Sequence, residues 1–580
     1  MINIGAAIPR FVRGASLAVG LAVAGSLSVP ADDALAAPAA AAKIHLNQLG
    51  FLPEAGKIAV VPNTPSGEFW LVDAKTGSEV LRGPLSQAQS WDVAGEAVKI
   101  ADFSAFNKPG HYRIRVADAG ESPPFYIQEN VYDHALAATI KYFYFNRASA
   151  SIDADYAGPF ARPAGHPDTI VYIHPSAASA ARPAGTVVAS PKGWYDAGDY
   201  NKYSVNSGIS TYTLLAALAD FPRLFADVRL KIPESSDAVP DLLNEILWNL
   251  DWYITMQDPH DGGVHHKLTD LRFSGDGMPH EQNTKRYMVE KSTAATLNFA
   301  AVFAYASVVM RDYQKHFPGR SEQYLQAAEK AWAWAKKNPK ALYVQPKEIN
   351  TGAYAMVNED LQDEWFWAAA ELLRASGKKT YMSGVNLPEN PRVPEWSSVE
   401  SLGLYALTRQ NNAPAKMQQA AGDLLVAMAD RMVREYWQSG YLVPMVEADF
   451  RWGSNAVAMN KAMILLAAER VRTNKDYRPA ARALLDYVLG RNPTGYSFVT
   501  GFGSKPALYP HHRISHYDGV AAPVPGMLVG GPQPGWQDKC TYPSRLPAKS
   551  YLDDWCSYST NEVAINWNAP LVYVLAALRE

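Results

Sequence analysis

This sequence predicts a mainly helical protein, an α/α barrel preceded by a small all-β sandwich. Three observations carry that expectation. Short alternating runs separated by turns fill the chain up to about residue 128, apolar residues take helical spacing from about residue 131 onward, and long Gly/Pro-rich loops join the helical stretches. A long series of helices with long loops gathered at one end suits a barrel. No strand-rich segment is expected to interrupt the helices.

The first residues read as an export signal, with Arg10 and Arg13 ahead of an apolar core over 15–29 and a small-residue cleavage site at Ala34-Leu35-Ala36. This predicts a signal peptide over 1–36, an Ala-rich linker over 37–43, and secretion or release to the periplasm. The apolar core is too short for a membrane span, and no other segment is expected to be long and apolar enough. The strand-like runs 57–61, 69–72, 97–100, 111–116 and 125–127 are punctuated by Pro65-Ser66-Gly67, Lys75-Thr76-Gly77 and Lys108-Pro109-Gly110, which argues a sandwich domain over 44–130. The join near 128–132 is short and lacks a Pro/Ser/Thr linker, so the sandwich should pack on the barrel.

From 131 to 580 the pattern is helical. Val239, Leu242, Leu243, Ile246, Leu247, Leu250 and Ile254 lie on one face. Similar stretches fall near 133–146, 205–221, 291–311, 321–337, 361–376, 396–409, 414–435, 455–472, 476–490 and 561–579. The irregular segment 493–556 is long enough to be functional. It holds both cysteines, Cys540 and Cys556, a disulfide candidate in an exported chain.

With 48% hydrophobic and 19% charged residues and a formal net charge of -3, the 580-residue chain is an ordinary globular one with no basic footprint for nucleic acid. Its 15 Trp and 31 Tyr include flat faces suited to sugar rings, although any single one is more often core. The chemistry is concentrated in Gly193-Trp194-Tyr195-Asp196-Ala197-Gly198-Asp199-Tyr200, answered far downstream by Asn561-Glu562-Val563-Ala564. Alone, the two aspartates could be a helix cap or a turn pair. With a third carboxylate brought from a distance, they offer what glycosidic hydrolysis needs: one carboxyl to protonate the leaving oxygen and another to activate water. That chemistry requires no cofactor.

At these motifs the chain resembles glycoside hydrolase family 9, cellulases built on a six-hairpin (α/α)6 barrel, over nearly the whole mature length. Asp196-Ala197-Gly198-Asp199 resembles the family's aspartate motif. Ser497 to Gly501, continuing through Gly503 and Lys505 to Pro510-His511-His512-Arg513, resembles its histidine signature. Tyr551-Leu552-Asp553, through Tyr558 to Glu562-Val563-Ala564 and Asn568-Ala569, resembles its acidic signature. The β-rich start matches the subgroup with an immunoglobulin-like domain.

The resemblance implies Asp199 as general base, Asp196 as its partner on the attacking water, and Glu562 as general acid. Asp553 is then a neighbouring carboxylate that helps keep Glu562 protonated. His511 and Arg513 would contact sugar at the cleaved subsite, with His266, Trp452, Trp567 and Tyr558 as further sugar contacts. Reaction by inversion implies Asp199 and Glu562 carboxyls about 6.5–9.5 Å apart. Structural calcium, as in many relatives, would fall to the cluster Glu359, Asp360, Asp363 and Glu364, since hard cations take oxygen ligands. The zinc of some subgroup members is not carried over, because no Cys precedes residue 540.

The expected activity is an exported, inverting endo-β-1,4-glucanase acting as a monomer on cellulose or related glucans. With no further binding module after the barrel, soluble or amorphous chains are the expected substrates. Exo action on cellodextrins or glucosamine oligomers is the alternative within the family, with the insertion 152–190 as a wall closing one end of the cleft. A non-catalytic glycan-binding protein is the alternative from another class, and it predicts a lost carboxylate.

Overall fold

The computed structural model describes residues 43–356 and 360–579. The expected signal peptide and nearly all of the linker lie outside them, as does Glu359 of the acidic cluster.

The N-terminal domain is built from β1 (Gly50–Phe51), β2 (Ile58–Pro62), β3 (Glu68–Asp73), β4 (Glu79–Pro84), β5 (Gln89–Trp91), β6 (Glu96–Asp102), β7 (Gly110–Val116), β8 (Gly120–Glu121) and β9 (Phe125–Ile127). They form two facing sheets, ordered β1-β9-β7-β3-β4 with β8 beside β7, and β2-β6-β5. Phe51, Phe69, Leu71, Ile114, Phe125 and Ile127 fill the space between them. The β4 and β5 strands carry no alternating apolar signal, because both are largely exposed.

The sandwich is fixed to the barrel. Trp91 packs at 5.0 Å from the Tyr441 ring, and Tyr441 Oη donates to Glu96 at 2.7 Å. Asn47 donates to the buried carboxylate of Asp486 at 2.8 Å, and the Gln48 N–H to the Leu489 carbonyl at 2.9 Å. This burial of aromatic and polar groups together makes the first domain a structural partner rather than a tethered module.

The barrel uses α1 (Asp133–Phe145), α2 (Ser204–Asp220), α3 (Asp241–Tyr253), α4 (Thr293–Met310), α5 (Arg320–Lys337), α6 (Gln362–Ser376), α7 (Glu400–Thr408), α8 (Ala415–Gln438), α9 (Ser454–Val471), α10 (Tyr477–Val488) and α11 (Ile565–Arg579). Helices α2, α4, α6, α7, α9 and α11 pack side by side in a closed inner ring, with α11 returning to α2. The others lie outside, and the outer member of the fourth hairpin is the short 3₁₀ stretch Lys379–Gly384 against α6.

Inner helices are apolar nearly all round because both faces are covered. Helix α4 is the extreme case. By length and composition it could cross a membrane, contrary to the expectation that no mature segment would, but 94% of it is buried inside the barrel.

A second departure concerns strands. β10 (Val171–Ile173), β11 (Val187–Val188), β12 (Lys202–Tyr203), β13 (Lys267–Thr269) and β14 (Arg286–Met288) form a sheet ordered β11-β10-β14-β13-β12. Two- and three-residue strands leave no readable period in a sequence. The sheet matters because β12 begins three residues after Asp199.

Candidate active site

Asp196 and Asp199 sit on the loop between Trp194 and β12. Behind the loop, Lys202 Nζ pairs with the buried Asp168 carboxylate at 2.7 Å and donates to the Ser190 and Lys192 carbonyls at 3.1 and 2.8 Å. Arg286 pairs with the same Asp168 at 3.2 Å and donates to the Tyr200 carbonyl at 2.9 Å. The insertion 152–190, expected as a wall of the cleft, instead supplies Asp168 to this buttress, and none of its residues lines the cavity.

Glu562 arrives from the other side, in an extended segment just ahead of α11. The His511 N–H donates to the Asn561 carbonyl, and the Gly530 N–H to the Glu562 carbonyl, each at 2.8 Å. The Ile565 N–H donates to the Asp196 carbonyl at 2.9 Å, tying the two catalytic segments together. Gly198 allows the close approach: a Cβ there would lie 2.3 Å from the His511 carbonyl oxygen.

These residues open on a cavity of about 790 Å³ lined by Asp196, Asp199, Glu562, His511, Arg513, Trp452, Trp567 and Tyr558, together with Tyr203, Tyr354, Phe273, Trp396 and Glu395. Eight of the expected residues are thereby brought together. Three of the carboxylates are distinguished by their surroundings. Asp196 accepts from Asn206 Nδ2 at 2.8 Å on one oxygen and from Tyr354 Oη at 2.7 Å on the other. Asp199 accepts on Oδ2 from the Asn201 amide and from Tyr203 Oη at 2.8 Å, while its buried Oδ1 has no protein partner.

Burial, followed by the Asp199 charge, pushes the Asp196 carboxyl up to about 8. Burial, then Asp199 and Asp196, pushes Glu562 up to about 8, against a hydrogen bond from the Gly198 N–H and the pull of Arg513. Removing a carboxylate from water disfavours its charge, and neighbouring carboxylates add to that. Both shifts favour the protonated form, which suits Glu562 to carry a proton.

Two expected residues stand elsewhere. Asp553 accepts from the Leu508 and Tyr509 N–H groups at 2.9 Å each and from Asn561 Nδ2 at 3.0 Å, and it lines no part of the cavity. The carboxylates acting on Glu562 are Asp199 and Asp196, not Asp553, whose oxygens are taken up by holding the chain beside it. His266 is fully buried behind the cavity wall, with Nδ1 on Ser292 Oγ at 2.8 Å, Nε2 on the Ala353 carbonyl at 3.0 Å, and its ring stacked on Tyr343 at 3.9 Å. With both nitrogens engaged within the protein it supports the wall and is not among the residues lining the cavity.

The acidic cluster is partly engaged by the protein itself. Asp363 accepts from the Val399 N–H at 3.2 Å and lies 3.6 Å from Arg392, and Asp360 caps the Gln362 N–H at 3.4 Å. Among the described residues, no group of three or more His, Cys, Asp or Glu converges to hold a metal. Within the cluster Glu364 stands out: it is buried, and its carboxylate meets no donor beyond its acidic neighbour Asp363. Burial, then Asp363, raises its carboxyl well above the usual range. Cys540 and Cys556 are bonded to each other.

Sequence reading missed Tyr203, Asn201 and Asn206, although all follow the aspartates within one loop and one helical turn. Their signal was local spacing. Tyr354, Trp396 and Phe273 come from long loops between helices, where no period marks an inward side chain.

A closed ring of helix pairs, with a buried glutamate facing a partnered aspartate pair in an aromatic cleft, defines a glycoside hydrolase. Residues 132–575 match the model of glycosyl hydrolase family 9, and residues 39–121 match that of the cellulase N-terminal ig-like domain. The chain belongs to glycosyl hydrolase family 9. It is 42% identical to a xyloglucan-specific endo-β-1,4-glucanase of Bacteroides ovatus, covering 98% of each chain, and 34% identical to Endoglucanase D of Acetivibrio thermocellus, covering 92% of this chain and 83% of that one. A solved Bacteroides ovatus family 9 structure superposes with a TM-score of 0.87 at 41% identity, covering 93% of this chain and 98% of the other.

Proposed function

We propose that this protein is an exported endo-β-1,4-glucanase that hydrolyses its substrate in one inverting displacement. The observation that carries the reading is the placement of a buried Asp199 Oδ1 with no protein partner across one cleft from Glu562, whose hold on its proton is raised by burial and by the two aspartates. Water held between Asp199 and Asp196 attacks the anomeric carbon. Asp199 Oδ1 accepts its proton as the new C–O bond forms, and Glu562 delivers its proton to the departing glycosidic oxygen as the old bond breaks. Asn201 and Tyr203 hold the other oxygen of Asp199, so the free one is left as the base. Inversion requires room for that water, hence carboxyls about 6.5–9.5 Å apart.

The aromatic lining, with Trp452 40% exposed and 5.6 Å from the Tyr558 ring, suits stacking against pyranose faces. Likeness to a xyloglucan-specific enzyme makes xyloglucan the first substrate to try beside carboxymethyl-cellulose. The glucosamine alternative is not favoured: among the described lining residues the additional carboxylate is Glu395, and Arg451 occupies it at 3.1 Å. Product analysis on both glucans tests the reading. A rapid viscosity drop with mixed oligomers, abolished in Glu562→Gln, supports it; release of one small sugar with viscosity held overturns endo action.

A structural calcium belongs to the same reading. A buried carboxylate with no donor from the rest of the protein fits a hard cation, and Glu364 with Asp363 would hold it, outside the lining of the catalytic cavity. Chelation should lower the melting temperature of the wild type and leave Glu364→Gln unmoved. Equal melting with and without chelator in the wild type would remove calcium from the account.

A further inference from the structure

A stack of three rings lies behind His511, outside the carboxylate machinery. Trp555 faces the His511 ring at 4.3 Å and 22° and the His516 ring at 3.9 Å and 12°. Tyr517 closes the group edge-on at 6.0 Å. The carbonyl of the same Trp555 lies 2.8 Å from His511 Nδ1. A carbonyl only accepts, so Nδ1 carries the proton. Burial lowers the His511 pKa, which keeps the ring neutral. Nε2 is then an acceptor alone.

Trp555 belongs to neither a helix nor a strand, so no backbone ladder fixes it. Its place is set by side-chain and covalent ties. The next residue, Cys556, is bonded to Cys540, and the Cys556 N–H donates to Asp554 at 2.8 Å. On the far side of the bridge, Asp538 accepts from the Ser559 N–H at 3.0 Å and from Tyr542 Oη at 2.6 Å. The bridged loop thus holds the stretch from which both Trp555 and the cavity residue Tyr558 project.

We propose that Trp555 is a positioning residue for substrate binding by His511: its ring fixes the imidazole plane, its carbonyl fixes the tautomer, and the Cys540–Cys556 bridge anchors both. Nε2 is thereby presented to a sugar hydroxyl as an acceptor, in one orientation. The inference rests on the reading that His511 meets the sugar. It adds that the contact is built by a residue outside the cavity lining.

The test is a double-mutant cycle on the full-length protein with a soluble β-1,4-glucan. Trp555→Leu should raise KM up to about tenfold, the worth of one well-placed hydrogen bond, with kcat within about twofold. Trp555→Phe, which keeps a stacking face, should restore most of the binding. In a His511→Asn background, Trp555→Leu should add little, because its partner is gone. The paired Cys540→Ser and Cys556→Ser variant should move KM in the same direction, and it decides the matter if Trp555→Leu does not fold. Full additivity of the two substitutions, or a fall in kcat with KM unchanged, would overturn the role of Trp555. An unchanged KM in His511→Asn alone would instead sink the reading that His511 touches sugar.

Discussion

Asp199 and Glu562 face the same cleft but are held by different kinds of order. On the base side the partners are close in the chain: Asn201 and Tyr203 hold Asp199, and Asn206, at the start of α2, holds Asp196. On the acid side nearly every tie is distant. Glu562 is set by His511 through Asn561, by Gly530, and by Gly198 of the opposite loop. A locally held group keeps its orientation when a remote loop shifts, whereas a group assembled from three segments depends on all of them. The base is thus preorganised by its own loop, and the acid by the completed fold.

The largest effect should come from removing either proton-transfer group. Glu562→Gln and Asp199→Asn should each lower kcat by about 10²–10⁴-fold with the fold intact. Measuring Asp553→Asn beside them separates the two kinds of acidic residue. Its oxygens only hold the 508–509 turn and Asn561, so we expect a loss of stability of about 1 kcal/mol and a much smaller fall in kcat. A loss in Asp553→Asn equal to that in Glu562→Gln would restore Asp553 to the chemistry.

Next in size is the buttress behind the base. Asp168→Asn would leave the buried Lys202 ammonium without its carboxylate and Arg286 with Asp270 alone, at 3.6 Å, which costs about 3–5 kcal/mol. We expect a lower melting temperature and, in whatever folds, a larger activity loss than for any equally destabilising change in the sandwich. Trp91→Ala supplies that comparison, since truncating a buried Trp costs about 3–5 kcal/mol. Equal residual activity in the two variants at matched stability would mean that the buttress does not orient the base.

The same contrast explains what could be read from the sequence. The strands over 58–62, 68–73 and 110–116, and the eleven longer helices, announce themselves by alternation or by helical spacing. The aspartate loop is legible because its chemistry is contiguous. The sheet of β10 to β14 is not, since Lys202–Tyr203 and Lys267–Thr269 are too short for a period and pair only through the tertiary fold. His266 and Asp553 mislead for a related reason. A histidine or carboxylate near a motif looks the same in sequence whether it faces the cleft or holds the wall, and only burial with fully used polar atoms tells them apart.

The smallest and most diagnostic effect is in pH. Burial raises Glu562 and Asp196 from ordinary values of 4.5 and 3.8 to about 8, so the folded protein binds more protons than the unfolded chain between those limits. Stability contributed by these two groups therefore falls as pH rises across that window. The acid, protonated below about 8, loses its proton above it, and kcat/KM should decline along an alkaline limb beginning near there. Glu562→Gln cannot ionise, so it should become more stable relative to the wild type as pH rises from 5 to about 8, even though its activity is gone. Thermal melts of both proteins across that range check the sign. A stability difference that stays flat with pH would show that Glu562 is ionised in the folded protein, and with it the assignment of the general acid would fall.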